Sequence, residues 1–177
     1  MRKAIVLVGS SSTGKSTVFE LLKTKLINYT FVSESTRTVK SYGYDINEDG
    51  DDNTQLAILS FHLKTLLEPG HLVLDRGMLD VLVYSENLSK LNQRTVKYIE
   101  DTFKDVKDEY THVIYFPIEF NAVDDGVRSV NEEWRREVDK KFKQYLDEYY
   151  PEEYLTVTGS PMQRLKQILA FINYESR

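Results

Sequence analysis

Five consecutive apolar residues, Ala4-Ile-Val-Leu-Val8, run without a spacer into Gly9-Ser-Ser-Ser-Thr-Gly14-Lys15-Ser16. No other stretch constrains the fold as strongly. A continuous apolar run of this kind is the pattern of a parallel strand covered on both faces. The glycine-bounded turn then leads straight into Lys15 to Ile27, where Val18, Leu21, Leu22 and Leu26 recur at helical spacing. A parallel strand needs a crossover to reach its neighbour, so this junction predicts a β-α-β unit. The pattern then repeats. Thr30 to Ser33, His71 to Asp75, Thr111 to Phe116 and Tyr154 to Val157 read as four further short strands. Between them, Leu56, Ile58, Leu59, Leu63 and Leu66 mark a helix closed by Pro69-Gly70. Val81 and Leu82, then Val96, Ile99 and Phe103, mark further ones. Ser129 to Tyr149 reads as a long charged helix and Pro161 to Ile172 as a last one, with proline at its start. Five strands alternating with helices predict an α/β sandwich around a parallel sheet with right-handed crossovers.

The 177 residues suit a single domain spanning residues 1–177, and 41% hydrophobic residues suffice for its core. Lys and Arg total 23 against 28 Asp and Glu, a net charge of −5, which disfavours a dedicated nucleic-acid binder. There is no cysteine, so neither a disulfide framework nor a thiolate metal site is available. No apolar run approaches the length of a membrane span. A cytoplasmic protein without a membrane partner is the expectation.

Gly9 to Ser16 satisfies the pattern G-x-x-x-x-G-K-[ST] at every position. Glycines let the backbone curl until successive N–H groups point inward, and the following helix N-terminus adds partial positive charge. Gly9, Ser10, Ser11, Ser12, Thr13, Gly14, Lys15, Ser16 and Thr17 are therefore the candidate nucleotide-binding residues, with ATP the expected nucleotide. Lys15 reaches the β- and γ-phosphates, and the Ser16 hydroxyl is a ligand for Mg²⁺.

Leu72-Val-Leu-Asp75 ends in the carboxylate expected beside such a cradle, where Asp75 meets Mg²⁺ directly or through water. Glu34 closes the second strand in Ser33-Glu34-Ser35-Thr36-Arg37. Strand carboxyl ends line the ligand crevice of an open α/β sheet, so Glu34, Asp75 and the cradle should converge there. Asp75 then serves the metal and Glu34 orients an acceptor hydroxyl. The plainer reading makes Glu34 a capping carboxylate paired with Arg37. Arg37 and Arg76 are substrate-side candidates. Arg128, in the Gly-containing stretch Val123 to Arg128, is the catalytic arginine candidate, beyond which most of Glu132 to Lys143 reads as a solvated charged face. Asp45-Ile-Asn47-Glu-Asp49-Gly50 imitates half of a calcium loop, but Leu56 stands where the twelfth-position Glu belongs. Asp45 to Asp52 is accordingly expected to be a mobile surface loop.

Taken in order, Gly9 to Ser16, Ser33-Glu34 through Arg37, Leu74-Asp75-Arg76-Gly77 with Asp80 and Tyr84, and Asp124-Asp125-Gly126-Val127-Arg128 before Trp134-Arg135 resemble a known family. It is the P-loop AAA-type ATPase/kinase family that includes the ribosylnicotinamide kinase domain. The resemblance covers nearly the whole chain and extends more broadly to adenylate-kinase-like and deoxynucleoside kinases. It implies a three-layer sandwich with strand order 2-3-1-4-5, a lid around residues 121–136 containing Arg128, and base contacts at Gly159-Ser160-Pro161. Deoxynucleoside kinases carry a Glu after strand two and an acidic-Arg pair after strand three, which Glu34 and Asp75-Arg76 look like. The implied activity is transfer of the γ-phosphate of ATP to a nucleoside, nucleotide or related small metabolite. A 5′-polynucleotide kinase is the first alternative and an NTP-hydrolysing switch the second; oligomeric state is left open.

Overall fold

A computed structural model of the chain describes residues 2–121 and 131–174. Its strands are β1 (Ala4–Val8), β2 (Tyr29–Val32), β3 (His71–Asp75), β4 (His112–Tyr115) and β5 (Tyr154–Thr156). Its helices are α1 (Lys15–Lys23), α2 (Thr36–Ser41), α3 (Asp52–Thr65), α4 (Met78–Glu86), α5 (Gln93–Val106), α6 (Glu132–Tyr149) and α7 (Pro161–Tyr174). All strand pairs are parallel and lie in the order β2-β3-β1-β4-β5, as the sequence predicts.

The alternation of side chains along each strand divides the core in two. Ala4, Val6, Val8, Leu72 and Leu74 pack on one face with Leu79, Leu82, Phe103, Val138 and Phe142 from α4, α5 and α6. Ile5, Leu7, Val73 and Ile114 pack on the other with Val18, Phe19, Leu165 and Ile168 from α1 and α7. That is the three-layer sandwich. Burial of both strand faces explains why β1 and β3 read as unbroken apolar runs instead of alternating ones.

Register fixes the site. Asp75 lies opposite Leu7, and Val32 lies opposite Leu74, so the chain beyond β1, β2 and β3 emerges along one edge of the sheet. Neighbouring strands sit about 5 Å apart, which brings the three emerging segments together. Beyond Val8 the backbone is too crowded for a side chain. A Cβ on Gly9 would fall 2.5 Å from the Phe116 carbonyl oxygen, and its φ of 137° is one L residues rarely adopt.

Three local features depart from the sequence reading. The first helix ends at Lys23 and not Ile27, where the Thr24 hydroxyl turns back to the Leu21 carbonyl at 2.8 Å. Helix α2 was not expected; its six residues are too few to show a period, and only Val39 is buried. Asp45 to Asp52, expected to be a mobile loop, is instead tied down. The Asp51 carboxylate caps α3 through the Thr54 N–H at 2.9 Å, and the Thr54 hydroxyl reaches the Asp45 carbonyl at 2.9 Å. The long charged helix begins at Glu132 behind an Asn131 cap; Ser129 and Val130 lie outside the described residues.

Candidate active site

The cradle is built as its sequence requires. Ser12 takes φ 54°, Gly14 takes φ 86°, and α1 starts at Lys15. A loop that curls its N–H groups inward must turn its carbonyls outward, and Ser10 to Thr13 are all buried. The Lys15 ammonium donates to the Gly9 and Ser10 carbonyls at 2.7 and 2.6 Å and to the Thr13 hydroxyl at 3.1 Å. Burial, then the Arg76 charge, push that ammonium down to about 7, against the pull of Asp80, Asp75 and Glu34. A polyanion in the cradle acts in the opposite direction and restores the charged form.

Asp75 sits at the end of β3 beside the cradle, and its Oδ2 accepts a 3.0 Å hydrogen bond from the Ser16 hydroxyl. Its Oδ1 is buried with no hydrogen-bond partner among the described residues. Burial pushes the carboxyl up, opposed by Lys15. An orphaned carboxylate oxygen next to a hydroxyl is a hard-oxygen pair suited to Mg²⁺, which takes one or two such protein ligands and leaves the remainder to water and phosphate. Thr17 is exposed on the first turn of α1.

Arg76 follows Asp75 with φ 82°, a strained backbone for a residue with a side chain, and its N–H is held by the Leu7 carbonyl at 3.0 Å. That turn aims the guanidinium across the mouth of β2. Its Nε donates to Glu34 Oε1 at 2.7 Å, its NH1 to Asp80 Oδ1 at 3.4 Å, and it lies 5.0 Å over the Tyr84 ring. Although burial works against its charge, Glu34, Tyr84 and Asp80 hold Arg76 above its ordinary range. Asp80 Oδ2 also accepts the Gly77 N–H at 2.9 Å, and burial raises this carboxyl to about 6 against the attraction of Arg76 and Lys15.

Glu34, Arg76, Asp80 and Tyr84 line one cleft, closed by Gln55, Ile58 and His62 of α3. The Gln55 Oε1 accepts from the buried Ser85 hydroxyl at 3.2 Å. Gln55 and His62 were not singled out from the sequence as cleft residues. Their signal was available, since both fall on the buried face of α3 with Ile58 and Leu59. Arg37 stands exposed on α2 and is not among the cleft-lining residues. Arg128 and most of the expected lid, residues 122–130, lie outside the described residues.

Two arginines were missed as neighbours of the cradle. Arg135, read as part of a solvated helix face, is fully buried and donates to the Ser11, Ser12 and Phe120 carbonyls at 2.8, 3.2 and 2.9 Å. Arg164 is buried as well and donates to the Thr13 carbonyl. Each sits in register with an apolar stripe: Arg135 with Val138 and Phe142, and Arg164 with Leu165 and Ile168. A charged residue inside such a stripe is the sequence sign of a buried, bonded cation.

A family model described as an AAA domain matches residues 4–164. The chain belongs to this AAA domain family. No curated protein matches the sequence. Among solved structures, the NadR protein in complex with NR superimposes with a TM-score of 0.79 at 18% identity, covering 97% of this chain and 52% of that one. The chain thus spans about half the length of NadR. Deoxyadenosine kinase from M. mycoides, with dCMP and dCDP bound, gives a TM-score of 0.73 at 16% identity, with 97% and 99% covered. Thymidylate kinase from Candida albicans gives 0.69 at 16% identity, with 99% and 92% covered. The AAA domain member described here therefore has the fold of P-loop nucleoside and nucleotide kinases.

His62 yields a pH prediction. Burial, then the Arg76 charge, hold its imidazole at about 4, below the 6.5 of a free histidine. The unfolded chain therefore binds a proton that the folded chain excludes. The stabilisation is fully present above pH 6.5 and is lost as pH falls through the folded value, a change of about 3 kcal/mol. Denaturant unfolding between pH 7.5 and 4 should show His62→Gln losing less stability than wild type by about that amount. Parallel pH profiles for the two proteins would contradict the assignment.

Proposed function

We propose that the chain transfers the γ-phosphoryl group of ATP to a hydroxyl of a nucleoside-like acceptor held in the cleft, with Mg²⁺ as cofactor. The observation that carries this reading is the arrangement at the sheet edge: a phosphate cradle, an orphaned carboxylate bonded to Ser16, and a second cleft whose Glu34 is fixed by the residue next to that carboxylate. Cradle and cleft share a border at Asp75-Arg76, as a donor and an acceptor must. Phosphoryl transfer asks little covalent chemistry of a protein and depends on positioning and charge. Inward N–H groups and Lys15 hold the phosphates. Bound Mg²⁺, held by Ser16 and Asp75, would neutralise charge on the β- and γ-phosphates. Glu34 receives the acceptor hydroxyl, and its pairing with Arg76 at 2.7 Å suits it better to orienting that group than to removing its proton early.

The charge of the cleft supports a nucleoside over a nucleotide. Its ionisable lining holds two carboxylates, Glu34 and Asp80, against the single guanidinium of Arg76, which both already engage. His62 is neutral there near pH 7. An acceptor phosphate would enter without a spare cation among these residues, whereas a neutral or cationic ring system would not be repelled. Of the similar structures, deoxyadenosine kinase is named for a nucleoside and agrees with that direction, whereas thymidylate kinase is named for a nucleotide. A polynucleotide acceptor is disfavoured by the same carboxylates and by the net charge of −5.

With γ-labelled ATP, neutral nucleosides or a pyridinium riboside should accept label. Nucleoside monophosphates and 5′-hydroxyl oligonucleotides should show kcat/KM at least about tenfold lower. Preferred labelling of monophosphates or oligonucleotides would overturn the acceptor class, and hydrolysis that no acceptor stimulates would favour a switch.

The two carboxylates should separate in a second assay. Glu34→Gln should lower turnover roughly 10²–10⁴-fold with an unchanged Mg²⁺ dependence. Asp75→Asn should move half-saturation to higher Mg²⁺. A metal shift in Glu34→Gln alone would reverse the roles.

A further inference from the structure

The carbonyls of Gly9 to Thr13 form a series in which every member is held by a cation. Lys15 takes those of Gly9 and Ser10, Arg135 those of Ser11 and Ser12, and Arg164 that of Thr13. The two guanidiniums come from different helices, α6 and α7. Both are themselves fixed. Arg135 NH1 bonds both oxygens of Glu132 at 2.9 and 3.0 Å. Arg164 pairs with Glu119, donates to the Gly159 carbonyl at 2.9 Å, and lies 5.6 Å from each of the Phe116 and Phe120 rings. The fit is close enough to set a residue type: a Cβ on Gly14 would stand 3.0 Å from the Arg164 guanidinium.

We propose that Arg135 and Arg164 are positioning residues of the phosphate cradle, setting its affinity for a polyphosphate by fixing the Ser11, Ser12 and Thr13 carbonyls outward. The proposal rests on the phosphate-binding reading above. A peptide plane is rigid, so a carbonyl held outward leaves the N–H of the next residue directed inward. Three consecutive planes held in this way present Ser12, Thr13 and Gly14 N–H groups to an anion before it arrives, and the anion need not order them. Guanidinium suits the task better than ammonium. Its planar fork spans neighbouring carbonyls, as Arg135 does with Ser11 and Ser12, and it stays charged when buried. The two added positive charges lie beside the cradle, but Glu132 and Glu119 neutralise them at long range. Their effect is therefore expected through geometry more than through net potential.

Binding of inorganic tripolyphosphate, measured by calorimetry on the whole chain, isolates the cradle from the base and acceptor contacts. Wild type should bind it. Arg135→Met and Arg164→Met should each weaken binding at least about tenfold. Arg135→Lys keeps the charge and loses the fork, and it should recover no more than part of that loss. Added free guanidinium at millimolar concentration should tighten binding to Arg135→Ala and leave wild type unchanged. Where a Met variant fails to fold, Arg135→Lys and Glu132→Gln carry the test, each expected to bind roughly two- to fivefold more weakly than wild type. Variants that melt earlier yet bind tripolyphosphate within twofold of wild type would reduce both arginines to anchors of α6 and α7 and overturn the proposal. Full recovery by Arg135→Lys would replace geometry with charge and overturn it likewise. A wild-type chain that binds no tripolyphosphate would overturn the phosphate-site reading, and the proposal with it.

Discussion

The structure depends on what happens to the backbone where β1 ends. Along its five residues that strand is paired with β3 on one side and β4 on the other, and beyond Val8 the ladder stops while the chain is still buried. Buried peptide groups need partners. The loop resolves this for its carbonyls by bonding them to Lys15, Arg135 and Arg164. The proposed anion site and a solved packing problem are the same arrangement. It also explains why α6 and α7, distant in sequence, close on the loop: each brings a cation that the outward carbonyls require.

The cleft beside the loop rests on a second buried polar group. Arg76 satisfies Glu34 and Asp80 at once and lies over Tyr84, at the cost of a left-handed backbone. Ser12 and Asn47, which also border the cradle and the cleft, share that backbone region. Strained non-glycine residues persist only where the surroundings over-determine them. At this edge the surroundings are the parallel ladder below and the buried charges above. The pairing has a chemical consequence as well. The Glu34–Arg76–Asp80 pairing is closed within the cleft, and the proposed preference for an unphosphorylated acceptor rests on it.

Much of this was legible in the sequence, for definite reasons. β1 and β3 are buried on both faces and so appear as uninterrupted apolar runs, and the glycine spacing of the cradle is a backbone requirement that composition cannot hide. From those two facts the meeting of Glu34, Asp75 and Ser16 follows by topology. Arg135, Arg164, Gln55 and His62 were less visible, because a polar residue on a helix is ordinarily read as solvated. Their burial depends on what the other elements bring to them, here loop carbonyls for the arginines and a cleft for Gln55 and His62. Helix α2 was invisible for another reason: it is too short for periodicity, and it forms where Glu34 leaves the sheet. The span of Asp45 to Asp52 read as loose because acidic residues are usually solvated, whereas Asp51 is engaged in capping α3.

The claim on which the account turns is that Lys15 faces transferred phosphate and is not simply a brace for its own loop. Single-turnover transfer of label from γ-labelled ATP, by wild type and by Lys15→Ala of matched circular dichroism and melting temperature, tests it most directly. The account predicts a folded variant whose transfer rate falls at least about 10²-fold, toward background. A folded Lys15→Ala protein that transfers label at the wild-type rate would contradict it.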